Sequence, residues 1–90
     1  MHAALVRLTV DPEQAPAAAE ALMNDILPRL RSGPGFVAGY WLEPTDGHGF
    51  SIVLFETEKQ AREAAPPVDG WDAPGVAITG VEFRPVAATA

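Results

Sequence analysis

Apolar and polar positions alternate with a two-residue period over residues 3–10, predicting a first strand with Ala4, Val6, Leu8 and Val10 on one face. Its other face is mixed, with Leu5 between Ala3 and Arg7. The period then changes to three and four. Ala19, Leu22, Met23, Ile26, Leu27 and Leu30 make one helical stripe opposite Glu20, Asp25 and Arg29. Asp11-Pro12-Glu13-Gln14 supplies the start signal, an acidic cap followed by proline. Pro16 has no N–H to give, so the regular helix is expected from Pro16, with residues 11–15 as an ordered lead-in. Pro28 lies inside the stripe and should kink its last turns. Ser32-Gly33-Pro34-Gly35 ends the helix and reverses the chain.

Residues 34–56 then hold two aromatic and β-branched runs around the turn cluster Pro44-Thr45-Asp46-Gly47-His48-Gly49, predicting a hairpin with a longer loop. Thr57 with Gln60 three residues later forms a capping box, and a short helix is expected through Ala65, ended by Pro66-Pro67. Residues 66–75 read as a loop, residues 76–84 as a last strand, and 85–90 as a frayed tail of one 1–90 domain. The order is β-α-β-β-α-β, the α+β ferredoxin-like motif. Right-handed crossovers place two helices on one face of a four-stranded antiparallel sheet, with the first and third strands central.

Both hairpin strands are apolar on both faces. In the first, Phe36, Ala38, Tyr40 and Leu42 oppose Val37, Gly39 and Trp41; in the second, Phe50, Ile52 and Leu54 oppose Ser51, Val53 and Phe55. Helices cover one face only, so large side chains of one parity are left over. The candidate interface set is Val37, Trp41, Val53 and Phe55, with Val81 and Phe83, or else their opposite-parity neighbours. A patch of several hundred Å² usually marks an interface. Burying it against a twin is worth on the order of 10 kcal/mol before association costs, which points to a homodimer.

Composition narrows the function classes. Twelve acids against six bases give a net charge of −6, which opposes nucleic acid and anionic membrane surfaces. No apolar run approaches the roughly 20 residues that span a bilayer, and the start alternates like a strand rather than a secretory signal. Without cysteine there is no disulfide, thiolate nucleophile or zinc–thiolate site, and a cytoplasmic protein is expected.

Pro34-Gly35-Phe36 after a helix, a Gly39-Tyr40-Trp41 strand and a strand ending Phe55-Glu56-Thr57-Glu58 resemble the antibiotic biosynthesis monooxygenase-like domains of the dimeric α+β barrel superfamily. The resemblance spans nearly the whole chain in layout. It implies a homodimer whose sheets close into a barrel, and a ligand cleft in each subunit between sheet and helices. The superfamily includes cofactor-independent oxygenases on polycyclic aromatic substrates, haem-degrading enzymes, small isomerases and decyclases. Haem degradation fits least: Val6 stands where those members carry a strand Asn, and Ala64, Ala65 and prolines stand where they carry Trp and His.

Two function classes remain. One is an enzyme, a cofactor-independent oxygenase or relative, holding an apolar or aromatic small molecule oriented by Asn24, Tyr40 and Trp71. The other is a non-catalytic binding or accessory protein of the same fold. His2, His48 and Arg7 are the remaining chemistry-bearing residues, and neither histidine has a sequence-local partner. Asp46 and His48 alone are too few ligands for a metal, and no triad, phosphate loop or dinucleotide fingerprint is present, so no metal or cofactor is expected.

Overall fold

Strands β1 (His2–Val10), β2 (Phe36–Thr45), β3 (His48–Phe55) and β4 (Val76–Pro85) pair antiparallel in the order β2-β3-β1-β4. The first and third strands are central, as the element order predicts. This is a computed structural model, and it describes residues 1–66 and 74–90. The expectations for a loop at 66–75 and for Trp71 fall largely or wholly within 67–73, outside the described residues.

The hairpin is tighter than its turn composition suggests. Asp46 (φ 53°) and Gly47 (φ 80°) make a two-residue connection between paired Thr45 and His48. Positive φ at both central residues matches the right-handed twist of the strands, and Asp-Gly is among the pairs that tolerate it. The predicted longer loop is thus mostly strand, with an irregular register between Leu42 and Thr45 at Pro44. The Val10 N–H donates to the Gly47 carbonyl at 2.8 Å, tying the turn to β1.

The first helical segment begins as predicted and then departs from regularity. Asp11 caps a 3-10 turn, Pro12–Gln14, by accepting from the Glu13 N–H at 3.0 Å. Helix α1 (Ala15–Ala21) follows, then a π-helical stretch, Leu22–Ile26, and helix α2 (Leu27–Arg31). The Leu27 N–H bonds the Leu22 carbonyl five residues back. Pro28 accounts for this: it lacks the N–H that an α-turn would use, and its ring crowds the carbonyl four residues earlier. A wider turn just ahead of the proline relieves that contact, so the predicted kink takes the form of a π-bulge. Helix α3 (Glu58–Ala64) carries the predicted capping box complete: Thr57 Oγ1 accepts from the Gln60 N–H, and Gln60 Oε1 accepts from the Thr57 N–H.

Two register shifts decide which side chains face the helices. In β2, Phe36 pairs with Phe55 but Ala38 pairs with Leu54, so Val37 is the extra residue of a bulge. Phe36 and Trp41, of opposite parity in sequence, therefore point the same way. In β4 the shift between Arg7 and Leu8 leaves Thr79 unpaired, so Ile78 and Val81 both turn inward. The core lies beneath α3: Phe55 (2% exposed), Val53 and Ala61 are buried, with Leu30, Phe36, Trp41, Ala64 and Phe83 packed around them. Phe36 and Phe55 meet edge to face at 6.2 Å.

Three of the four candidate interface residues face the helices instead of a partner. Trp41, Val53 and Phe55 are on the helix-covered face, because Phe55 and Val53 must sit under Ala61 for α3 to dock. Of that set only Val37, at the bulge, is exposed. The helix-free face is built from the opposite parity, in rows Ala38-Leu54-Ala3-Arg84, Tyr40-Ile52-Leu5-Glu82 and Leu42-Phe50-Arg7-Gly80.

Gly35 joins the two halves of the core. Its φ is +77°, its carbonyl accepts from the Glu56 N–H at 2.9 Å, and a Cβ there would overlap the Gln60 amide of the capping box. Gly35→Ala should therefore lower stability by about 2–3 kcal/mol, a left-handed residue plus a lost cap. Gly80→Ala, where an added Cβ would meet only Arg7 at an ordinary van der Waals distance of 3.9 Å, should change it by less than about 0.5 kcal/mol. Urea denaturation of both variants checks the pair.

Candidate functional site

The helical segments meet the sheet in different ways. Ala61 is 0% exposed, and its small side chain lets α3 rest directly on β1, β3 and β4. The segment 15–31 has no buried residue at all, although it carries the strongest apolar stripe in the chain. Leu22, Ile26 and Leu30 are half-buried and Met23 is 62% exposed. This segment stands off the sheet.

A cavity of about 470 Å³ occupies the gap. Its floor is Ala4, Val6, Leu8 and Val10 of β1, Gly49, Val53 and Phe55 of β3, Trp41 of β2, and Val76 and Ile78 of β4, and Leu42, Glu43, Pro44 and Phe50 border it near the hairpin turn. Its roof is Ala15, Ala18 and Ala19 of α1 with Leu22, Met23, Ile26 and Leu30, and Ala64, Ala65 and Pro66 close one end. Alanines in α1 leave the space that larger side chains would fill. Small-molecule sites commonly measure roughly 300–1,000 Å³ and are mostly apolar, and this cavity falls within that range.

Glycine shapes the floor. Gly39 and Trp41 are two apart on one strand and share a face, and a Cβ on Gly39 would overlap Cη2 and Cζ3 of the indole. The ring lies back along β2 over the glycine. Gly49 does the same for Leu8, whose Cδ1 would be 2.8 Å from an added Cβ. Both glycines let large side chains lie flat against the sheet, where they form the cavity's floor rather than fill it.

Polar groups are few. Glu43 is the one ionisable side chain of the lining among the described residues, and it is exposed, so it stands where the cavity meets solvent. Trp41 brings an indole N–H. Ser51 is the buried polar side chain, 3% exposed, on the covered face between register neighbours Trp41 and Val6, both of which line the cavity. Neither Ser51 nor Glu43 is among the ligand-binding candidates that the sequence suggests. The available signal was parity. Once Val53 is known to face inward, Ser51, two residues earlier on a strand with no register break, must as well; Glu43 lies at the irregularity between Leu42 and Thr45, where it borders the cavity together with Leu42 and Pro44.

The residues expected to orient a ligand are placed otherwise. Asn24 is exposed in the π-helical stretch and does not line the cavity. Tyr40 is 59% exposed on the helix-free face, across the sheet from it. Trp71 is outside the described residues. Arg7 also faces the helix-free side, over Gly80, and makes no salt bridge among the described residues. His48 is exposed at the start of β3. His2 is paired in β1, with its Nδ1 buried and unpartnered among the described residues. No group of three or more His, Cys, Asp or Glu that could hold a metal occurs among the described residues, and no helix there is long and apolar enough to cross a membrane.

Among solved structures, the chain is similar to SnoaB, a cofactor-independent oxygenase from Streptomyces nogalater, with a TM-score of 0.68 and 19% sequence identity. The match covers 98% of this chain and 94% of that one. The two share a fold. It is the ferredoxin-like α+β arrangement implied by the resemblance to antibiotic biosynthesis monooxygenase-like domains. No protein-family model matches the chain, and no curated protein sequence does.

Since Gly39 holds the Trp41 ring down, Gly39→Ala should lift the indole toward the cavity. The expected result is a shifted tryptophan emission spectrum, a stability loss of about 1–3 kcal/mol from overpacking, and weaker uptake of the neutral dye Nile red. Wild-type emission and dye binding in the variant would show that the ring does not border the binding space.

Proposed function

We propose that the protein is a small homodimeric enzyme that oxygenates an apolar, aromatic small molecule without a cofactor, in the cytoplasm. The observation that carries the reading is the 470 Å³ apolar cavity between the sheet and the first helical segment, in a fold shared end to end with an oxygenase of that kind. Such chemistry asks little of the protein. An electron-rich substrate supplies the electrons to O₂, and the site contributes a dry, shaped enclosure and one or two hydrogen bonds. The groups that would supply those bonds are the indole N–H of Trp41, a lining residue, and Ser51, its register neighbour.

Anthrone is a suitable probe, because its CH₂ carbon becomes a carbonyl when one atom of O₂ is incorporated and the other leaves as water. Oxygen-electrode traces should record one O₂ consumed per anthraquinone formed, above the rate without protein, with no loss after dialysis against a chelator. Trp41→Phe should lower kcat by about tenfold or more. Rates equal to the protein-free control across a panel of polycyclic phenols, with tight binding of the same compounds, would assign the protein to the alternative: a non-catalytic binder or accessory protein. The near absence of polar lining groups is what favours that second reading.

The homodimer rests on the helix-free face. Tyr40 (59% exposed), Leu42 (55%) and Val37 (46%) lie beside half-buried Leu5, Ile52 and Leu54. A second copy of the same face is the occupant that satisfies both surfaces at once. Its cover need be only about 800 Å² per partner. Ile52 is central in these rows, between Tyr40 and Leu5, so Ile52→Glu should give a folded monomer by light scattering and circular dichroism. A wild-type mass of one chain would end this part of the proposal.

A further inference from the structure

Charge around the cavity is one-sided. Glu43 is the sole ionisable side chain in the lining among the described residues, and it makes no salt bridge there. The six cations of the chain are all elsewhere. Arg7 lies over Gly80 and Arg84 bonds Glu82 at 2.9 Å, both on the opposite face of the sheet. Arg29 and Arg31 are exposed at the end of α2. Lys59 and Arg62 belong to α3, where Arg62 pairs with Glu58 at 3.0 Å and covers the Phe83 ring at 4.5 Å. Segment 67–73 contains two aspartates and no basic residue, so it brings no cation either.

An organic anion entering this cavity would lose its hydration shell without a cation to replace it. A carboxylate at the rim would add repulsion. A ligand with an ammonium group or a hydrogen-bond donor meets the reverse situation: its apolar body fills the cavity and its polar end reaches Glu43 at the solvent boundary. We infer that the site takes apolar molecules that are neutral or carry one cationic or donor group directed at Glu43, and that Glu43 is the residue that discriminates against acids. This rests on the cavity being the ligand site.

Three naphthalene derivatives of like size test it by titration calorimetry at pH 7: 1-naphthylmethylammonium, 1-naphthylmethanol and 1-naphthoate. The ammonium compound should bind about tenfold or more tightly than the carboxylate, with the alcohol between. Glu43→Gln should bring the two charged compounds to within about twofold of each other. Glu43→Lys should reverse their order. That reversal separates a local effect from the field of the whole chain, because exchanging one negative for one positive charge moves the net charge only from −6 to −4. Equal affinities in the wild type, or an unchanged order in Glu43→Lys, would overturn the inference while leaving the ligand site intact. No heat from any of the three, together with no Nile red uptake, would instead remove the ligand site itself.

Discussion

Docking of α3 on Phe55 is the contact on which the other features depend. Ala61 presses on the ring and Phe36 meets it edge on. The capping box that starts α3 lies over Gly35, where no other side chain fits. These contacts concentrate the dense packing at one end of the sheet. The rest of the covered face is thereby free to hold a cavity, since the fold does not need the first helical segment pressed down to keep its core. Burial of one aromatic ring of this size contributes about 1.5–3 kcal/mol, so the cluster at this end dominates the stability of a chain this short.

The standing-off of residues 15–31 has its own local causes. Alanine at 15, 17, 18, 19 and 21 favours helix in α1, but seven residues are too few to be helical on propensity alone, so the half-buried Leu22, Ile26 and Leu30 that follow must hold the segment in place. The alanines are too short to reach the sheet. The π-helical stretch then swings Leu22, Met23 and Ile26 over the floor, and its existence follows from Pro28. A helix of short side chains, bent by a proline, makes a roof without filling the room beneath.

The two sheet faces divide the labour. The covered face carries the core and the cavity; the free face carries Tyr40, Leu42, Ile52 and Leu54, with Arg7 and the Glu82–Arg84 pair beside them. Glycine keeps the cavity open at 39 and 49 by letting Trp41 and Leu8 lie flat. Polar groups are sparse on the covered face, and that sparseness is itself a chemical property. It makes the space dry, and it leaves Glu43 as the feature that can tell one apolar ligand from another.

Local chemistry made most of the fold readable in advance. Alternation marked the strands, the three-four period marked the first helix, and Thr57 with Gln60 marked the start of the second, because each signal acts between residues a few positions apart. Asp11 and Pro28 were likewise readable as a cap and a disruption. Facing was not readable, because alternation says which residues share a face but not which face the helices cover, and bulges at Val37 and Thr79 further shift the parity within β2 and β4. Docking of α3 on Phe55 and Val53 puts those two and Trp41 in the core rather than on the free face, and Tyr40 on the free face rather than in the cleft. The cavity too belonged to tertiary structure alone: it depends on how far a helix stands from a sheet, a distance set by Ala61 under one helix and by Pro28 in the other.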